Sequence, residues 1–200
     1  MKAKKSKCPV KNLVGSLGMS IVTFILGMVL AIALCIGLCS KASAVDPITG
    51  NYIAQTLIKN FMNSGGGNMV RITFTMDSDV AGVAHIGQCG EITTDGINAC
   101  IVFDKDFAYY LTEGQFAAIV GHELGHLYYG DIYMPIFSSE ESKAHESRAD
   151  IYGVVLANAS GYQACEVVGL WVQLSRHEVE SISHPLPSDR AKHITDEVCH

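Results

Sequence analysis

The sequence predicts an α+β domain in which a small antiparallel sheet packs on a helical body. Three observations lead there: an alternating apolar stretch at 70–76, a capping box at Thr112, and long stretches with apolar residues at helical spacing. Asp46-Pro47 is a cap followed by proline at the first helical position. Ile53, Leu57, Ile58 and Phe61 then share one face, so a helix is expected over 47–62. Ser64-Gly65-Gly66-Gly67 breaks it. Val70, Ile72, Phe74 and Met76 alternate with Arg71, Thr73 and Thr75, which describes a strand with one buried face. Strands near 83–87 and 99–103 follow, separated by turns rich in Gly and Asp.

The helical half begins at Thr112-Glu113-Gly114-Gln115, a hydroxyl at the cap with Gln three residues on. From there Phe116, Ile119 and Val120 carry a helix to about Tyr129. A further helix is expected over about 139–159, ending at Gly161, then another from about Tyr162 to His177. A loop holding His184-Pro185 leads to a short helix from about Ser188.

Ahead of this domain, residues 1–44 read as a signal peptide or an N-terminal membrane anchor. Lys2, Lys4, Lys5, Lys7 and Lys11 precede an uncharged apolar run from Gly18 to Leu38, and Lys41-Ala42-Ser43-Ala44 supplies a small-x-small step. The run is long enough to span a bilayer, and the lysines before it keep the N-terminus cytoplasmic. The expected location is therefore exported: periplasmic or secreted, or anchored to the inner membrane by residues 18–38. Residues 45–200 hold eight lysines and arginines against twenty acids, a net charge of −12 with neutral histidines. Such acidity excludes nucleic acid and an anionic membrane surface as natural partners, leaving membrane contact to the N-terminal segment. Four cysteines remain there, an even number in an oxidising setting and without CxxC spacing. The favoured pairs are Cys89–Cys100, across an apparent hairpin, and Cys165–Cys199, tying the C-terminus to a helix.

His122-Glu123-Leu124-Gly125-His126 lies inside the capped helix. Positions four apart share a face, so both imidazoles can reach one ion. Glu123, one step round, is placed to act as general base toward an attacking water. The flanking Phe116, Ile119, Val120 and Leu124 put these polar residues in a core helix, where they are costly unless used. The longer HExxHxxGxxH pattern is absent, since Tyr129 and Ile132 stand at its glycine and third histidine. On the next helix Glu146 and Asp150 lie four apart on one face. Glu146 can close a His, His, Glu set, and Asp150 can accept the ring N–H of a ligand histidine.

HExxH, followed by Glu146-Ser147-Arg148-Ala149-Asp150 and then His184-Pro185 through Arg190, resembles the HtpX-like gluzincin metallopeptidases. That group includes the CAAX prenyl endoprotease, the mitochondrial Oma protease and exported bacterial quality-control proteases. The likeness covers about Ala99 to Arg190 in the family's order. It implies a zincin-type fold, one zinc held by His122, His126 and Glu146, and peptide hydrolysis by metal-activated water. It further implies an edge strand that pairs with extended substrate, here Asn98 with Ala99, Cys100, Ile101, Val102 and Phe103. The chain departs from the larger members in having no multi-pass membrane domain and no tetratricopeptide repeats, so a stand-alone exported protease is expected. Its substrate would be unfolded or misassembled envelope polypeptide.

Two roles are open for His184: hydrogen-bond donor to the oxyanion, or a latch on the metal. Arg190 is expected to steady the acidic wall of the site. His85, His145, His177, His193 and His200 are read as non-catalytic. A second class of function, a chaperone or assembly factor using a metalloprotease fold for binding, is separated from the first by Glu123→Gln. A purely structural zinc domain would need a fourth protein ligand.

Overall fold

The computed structural model describes residues 44–65, 70–78, 80, 82–89, 97–133, 138–177 and 183–200. The expected leader, apart from Ala44, lies outside the described residues. No helix among those described is long and apolar enough to cross a membrane.

Helix α1 spans Pro47–Asn63, started by the Asp46 carboxylate, which accepts from the backbone N–H groups of Ile48 and Thr49. Ile53, Leu57, Ile58 and Phe61 point into the core as the spacing predicted. Strands β1 (Val70–Asp77), β2 (Ala84–Gln88) and β3 (Ile97–Asp104) follow. Along β1, Ile72, Phe74 and Met76 are partly buried while Arg71, Thr73 and Thr75 are exposed, the predicted alternation. A single turn, α2 (Lys105–Ala108), capped by Asp104, leads to α3 (Glu113–Tyr129). Helix α4 is Ser139–Ala159, α5 is Val167–Leu174 and α6 is Pro187–Val198. The expected single helix from Tyr162 to His177 is shorter, because 3-10 turns at Ala164–Glu166 and Ser175–His177 take its two ends.

The fold is α+β as expected, but two features of the sheet differ from the expectation. The order is β1-β3-β2, and β1 pairs with β3 in parallel while β2 pairs with β3 antiparallel. The sheet is therefore mixed rather than antiparallel. The second correction concerns the expected substrate strand, Ala99, Cys100, Ile101, Val102 and Phe103. It is central, bonded to Ile72 through Met76 on one side and to Ala84 through Gln88 on the other. Both of its backbone edges are consumed, so it cannot accept a further strand. Among the described residues the sheet's edges are β1 and β2.

Ile101, Phe103, Phe61, Leu57 and Phe116 are fully buried where the sheet meets α1 and α3, and the Phe103 ring packs at a tilt against Phe116, centroids 4.4 Å apart. Each such side chain contributes roughly 1.5–3 kcal/mol by leaving water, which fixes α3 against the sheet before any polar contact is counted. Both expected disulfides are present. Cys89–Cys100 ties the end of β2 to β3, and Cys165–Cys199 ties the end of α6 to the turn before α5. They fit an oxidising, exported setting.

Candidate metal centre

Helix α3 is positioned from its first residue. The Thr112 hydroxyl accepts from Gln115 N–H, and the Gln115 side chain accepts from Thr112 N–H, the reciprocal box read in the sequence. Helix α4 opens on a second box, between Ser138 and Glu141. These two helices run antiparallel and unusually close. A Cβ on Gly121 would meet the Gly153 carbonyl oxygen at 2.6 Å, and one on Gly153 would meet His122 N at 2.5 Å. A Cβ on Gly125 would stand 3.0 Å from the Ala149 Cα. The absence of side chains along this seam lets the short Glu146 carboxylate reach both histidines of the facing helix.

The result is a three-residue cluster. Glu146 Oε2 lies 3.3 Å from His122 Nε2, Glu146 Oε1 lies 3.3 Å from His126 Nε2, and the two Nε2 atoms are 3.0 Å apart. Each imidazole presents its other nitrogen to an aspartate: His122 Nδ1 meets Asp150 Oδ1 at 2.9 Å, and His126 Nδ1 meets Asp131 Oδ2 at 3.0 Å. A carboxylate oxygen only accepts, so each Nδ1 donates, and a ring that is neutral turns a lone pair at Nε2 toward the other. Two lone pairs and a carboxylate facing one spot repel unless a cation sits among them. Three ligands about 2 Å from one ion in tetrahedral array would be about 3.3 Å apart, close to the separations found. His122, His126 and Glu146 therefore fit a metal ion by donor type and spacing.

Behind each histidine stands the same sequence of partners. Asp150 is gripped at both oxygens by Arg190, whose guanidinium lies 3.9 Å over the Trp171 ring. Asp131 is paired with Arg148, which lies 4.5 Å over the Tyr129 ring. The Asp150 and Arg190 roles read in the sequence thus have matching contacts. Asp131 and Arg148 were missed. Gly130 ends α3 at φ 75°, which only glycine adopts readily, and this turn folds Asp131 back under His126. An acid just beyond a C-capping glycine and five residues after a ligand histidine was the available signal.

Charge balance follows the geometry. Burial would lower the pKa of His122, but its hydrogen bond to Asp150 and the Glu146 carboxylate outweigh burial and raise it to about 10. Burial opposes protonation of His126 too, yet Glu146 above all raises its pKa. Burial would raise Glu146, but the facing histidines hold it well below the usual carboxylate range. Asp150 is likewise pushed down to about 2, against burial, chiefly by the Arg190 charge. With its pKa at about 10, His122 carries the extra proton of the metal-free pair, and a metal must displace it.

Two cavities open on the cluster. One, of about 380 Å³, and a second, of about 330 Å³, share Ala84 and His85 of β2 together with His122, Glu123, Glu146 and His184. Glu123 is itself nearly buried. His184 sits on the rim, its side chain 53% exposed, with Nδ1 2.8 Å from Ser183 Oγ and Nε2 3.6 Å from Glu146 Oε2. It is not part of the three-residue ligand group. His85, read as non-catalytic, lines both cavities; His145, read likewise, lines the smaller one, with Nδ1 3.4 Å from Asp131 Oδ1.

No protein-family model, curated protein or solved structure matches this chain.

Proposed function

We propose that the protein is a zinc-dependent endopeptidase acting on polypeptide in an exported compartment. The observation that carries the reading is a group of three protein ligands, His122, His126 and Glu146, beside cavities that also expose Glu123. Structural zinc sites close the ion with four protein ligands, whereas hydrolytic sites use three. Imidazole with a single carboxylate suits zinc better than the hard, oxygen-loving cations.

When bound, zinc would polarise the scissile carbonyl and acidify water. The residues of the chain do the rest. Asp150 and Asp131 hold the two imidazoles in the tautomer that directs Nε2 to the metal. Glu123 accepts a proton from the attacking water and returns it to the departing amine. His184, on the rim and outside the ligand group, donates a hydrogen bond to the oxygen that gains charge. Strand β2, rather than β3, offers an edge for extended substrate, since its residues line both cavities. The favoured substrates are unfolded or misassembled envelope polypeptides, whose backbone is available for such pairing.

The test is metal stoichiometry joined to activity. Purified protein should carry one zinc per chain, lose proteolysis with chelation and regain it with stoichiometric zinc. Glu146→Ala should lose both zinc and activity; undiminished zinc in that variant would place the third ligand elsewhere.

A further inference from the structure

The two histidines of the centre are held unequally. Behind His122, Asp150 lies in the middle of α4, and Arg190 donates to both of its oxygens from a side chain only 10% exposed. Behind His126, Asp131 stands in the 3-10 turn Asp131–Tyr133, just past the glycine that ends α3. Arg148 reaches one of its oxygens, Oδ1, through a single Nη2, and the Arg148 side chain is 37% exposed. Its Nε is buried with no hydrogen-bond partner among the described residues. His145 Nδ1 meets the same Oδ1 at 3.4 Å.

A carboxylate gripped at both oxygens by a buried guanidinium fork is fixed in orientation, so the ring it holds is fixed too. A carboxylate gripped at one oxygen can turn, and water beside a half-exposed guanidinium weakens the attraction. What steadies the Arg148 charge is Tyr129, whose ring centre lies 4.5 Å from the guanidinium carbon. That ring is itself set edge-on to Tyr128 at 5.1 Å and to Tyr152 at 6.1 Å. Tyr129 is the last residue of α3, three after His126, and Arg148 is on α4, two after Glu146. Each helix that supplies a metal ligand thus supplies one member of the pair. Resting on the zinc reading above, we infer that Tyr129 and Arg148 are positioning residues for His126, acting through Asp131, and that His126 is the ligand that yields first when the metal leaves.

The readout is zinc release rather than hydrolysis. Full-length protein carrying one zinc is mixed with an excess of a chromogenic chelator, and release is timed at fixed pH. Arg148→Met keeps the stem and removes the charge, so release should quicken by about ten- to a hundredfold. Tyr129→Leu should quicken it by about two- to thirtyfold, the worth of a cation–π contact read as a rate, while Tyr129→Phe keeps the ring and should stay within about twofold of wild type. Trp171→Leu strips the corresponding cover from Arg190, yet it should quicken release less than Tyr129→Leu, because Asp150 keeps its double grip. In the cobalt(II) form, Tyr129→Leu should change the visible absorption spectrum and Tyr129→Phe should not. Release unmoved by Arg148→Met and Tyr129→Leu overturns the inference and leaves the zinc centre standing. So does release quickened as much by Tyr129→Phe as by Tyr129→Leu, or more by Trp171→Leu than by Tyr129→Leu. If Trp171→Leu does not fold, the two Tyr129 variants decide. Wild type that takes up no zinc overturns both the inference and the zinc reading.

Discussion

The Nε2 atoms of His122 and His126 lie 3.0 Å apart while each ring donates from Nδ1 to its own aspartate. The pair is thus built to share a cation, and in the metal-free protein that cation is a proton. The pKa of His122 is raised from 6.5 to about 10, so protonation stabilises the metal-free fold fully below pH 6.5 and is lost as pH rises toward 10. Asp150, lowered from 3.8 to about 2, adds stability above pH 3.8 that is lost as pH falls through 2. Chelated protein should melt highest between these limits and progressively lower above pH 6.5. Zinc affinity should run the other way, rising about tenfold per pH unit between pH 6.5 and 8 as His122 surrenders its proton. Calorimetric melting of chelated protein and competitive zinc titration at several pH values check both slopes.

Asp131 should matter to the metal without touching it. Asp131→Asn keeps the size but cannot hold the His126 ring by charge, so zinc affinity should fall by about ten- to a hundredfold. The circular dichroism spectrum should stay that of wild type. An unchanged dissociation constant would leave Asp131 a partner of Arg148 and His145 with no part in holding the metal.

The seam between α3 and α4 gives a test that involves no functional side chain. Gly153→Ala drives a methyl into His122 N and the Ala118 carbonyl oxygen, both backbone atoms that cannot move aside. Overpacking of this kind costs about 1–3 kcal/mol. The melting temperature should drop, and zinc retention should drop with it because Glu146 is pushed away from the histidines. A stable variant with full zinc content would show that the helices do not need this approach.

Much of this was legible in the sequence because it is local. Thr112 with Gln115 marks the start of α3, the four-residue spacing of His122 and His126 fixes a shared face, and Glu146 with Asp150 repeats that logic on α4. The cysteine pairs followed from separation and neighbouring elements. What stayed hidden is long-range. The alternation in β1 shows that one face is buried, yet it carries no information about which strand lies beside it. Parallel pairing of Val70–Asp77 with Ile97–Asp104 puts β3 in the middle and β2 at the edge. Reading strands in sequence order could not reveal that placement. Asp131 escaped for a related reason: only the turn at Gly130 brings it beneath His126.

His184→Ala separates the two roles left open by the sequence. With His184 outside the ligand group, kcat should fall by about 10²–10³ while zinc content stays at one per chain. Activity at or above wild type would instead mark His184 as a latch.

The most direct test of the central claim is hydrolysis of an unfolded polypeptide by the zinc-loaded protein and by its Glu123→Gln variant, with zinc content measured in the same samples. Both proteins should hold one zinc, since Glu123 lies outside the ligand group. Wild type should cleave, and the variant should be slower by about two to four powers of ten, the usual worth of a positioned general base. Equal cleavage by the two proteins, or no cleavage by zinc-loaded wild type, would contradict the account.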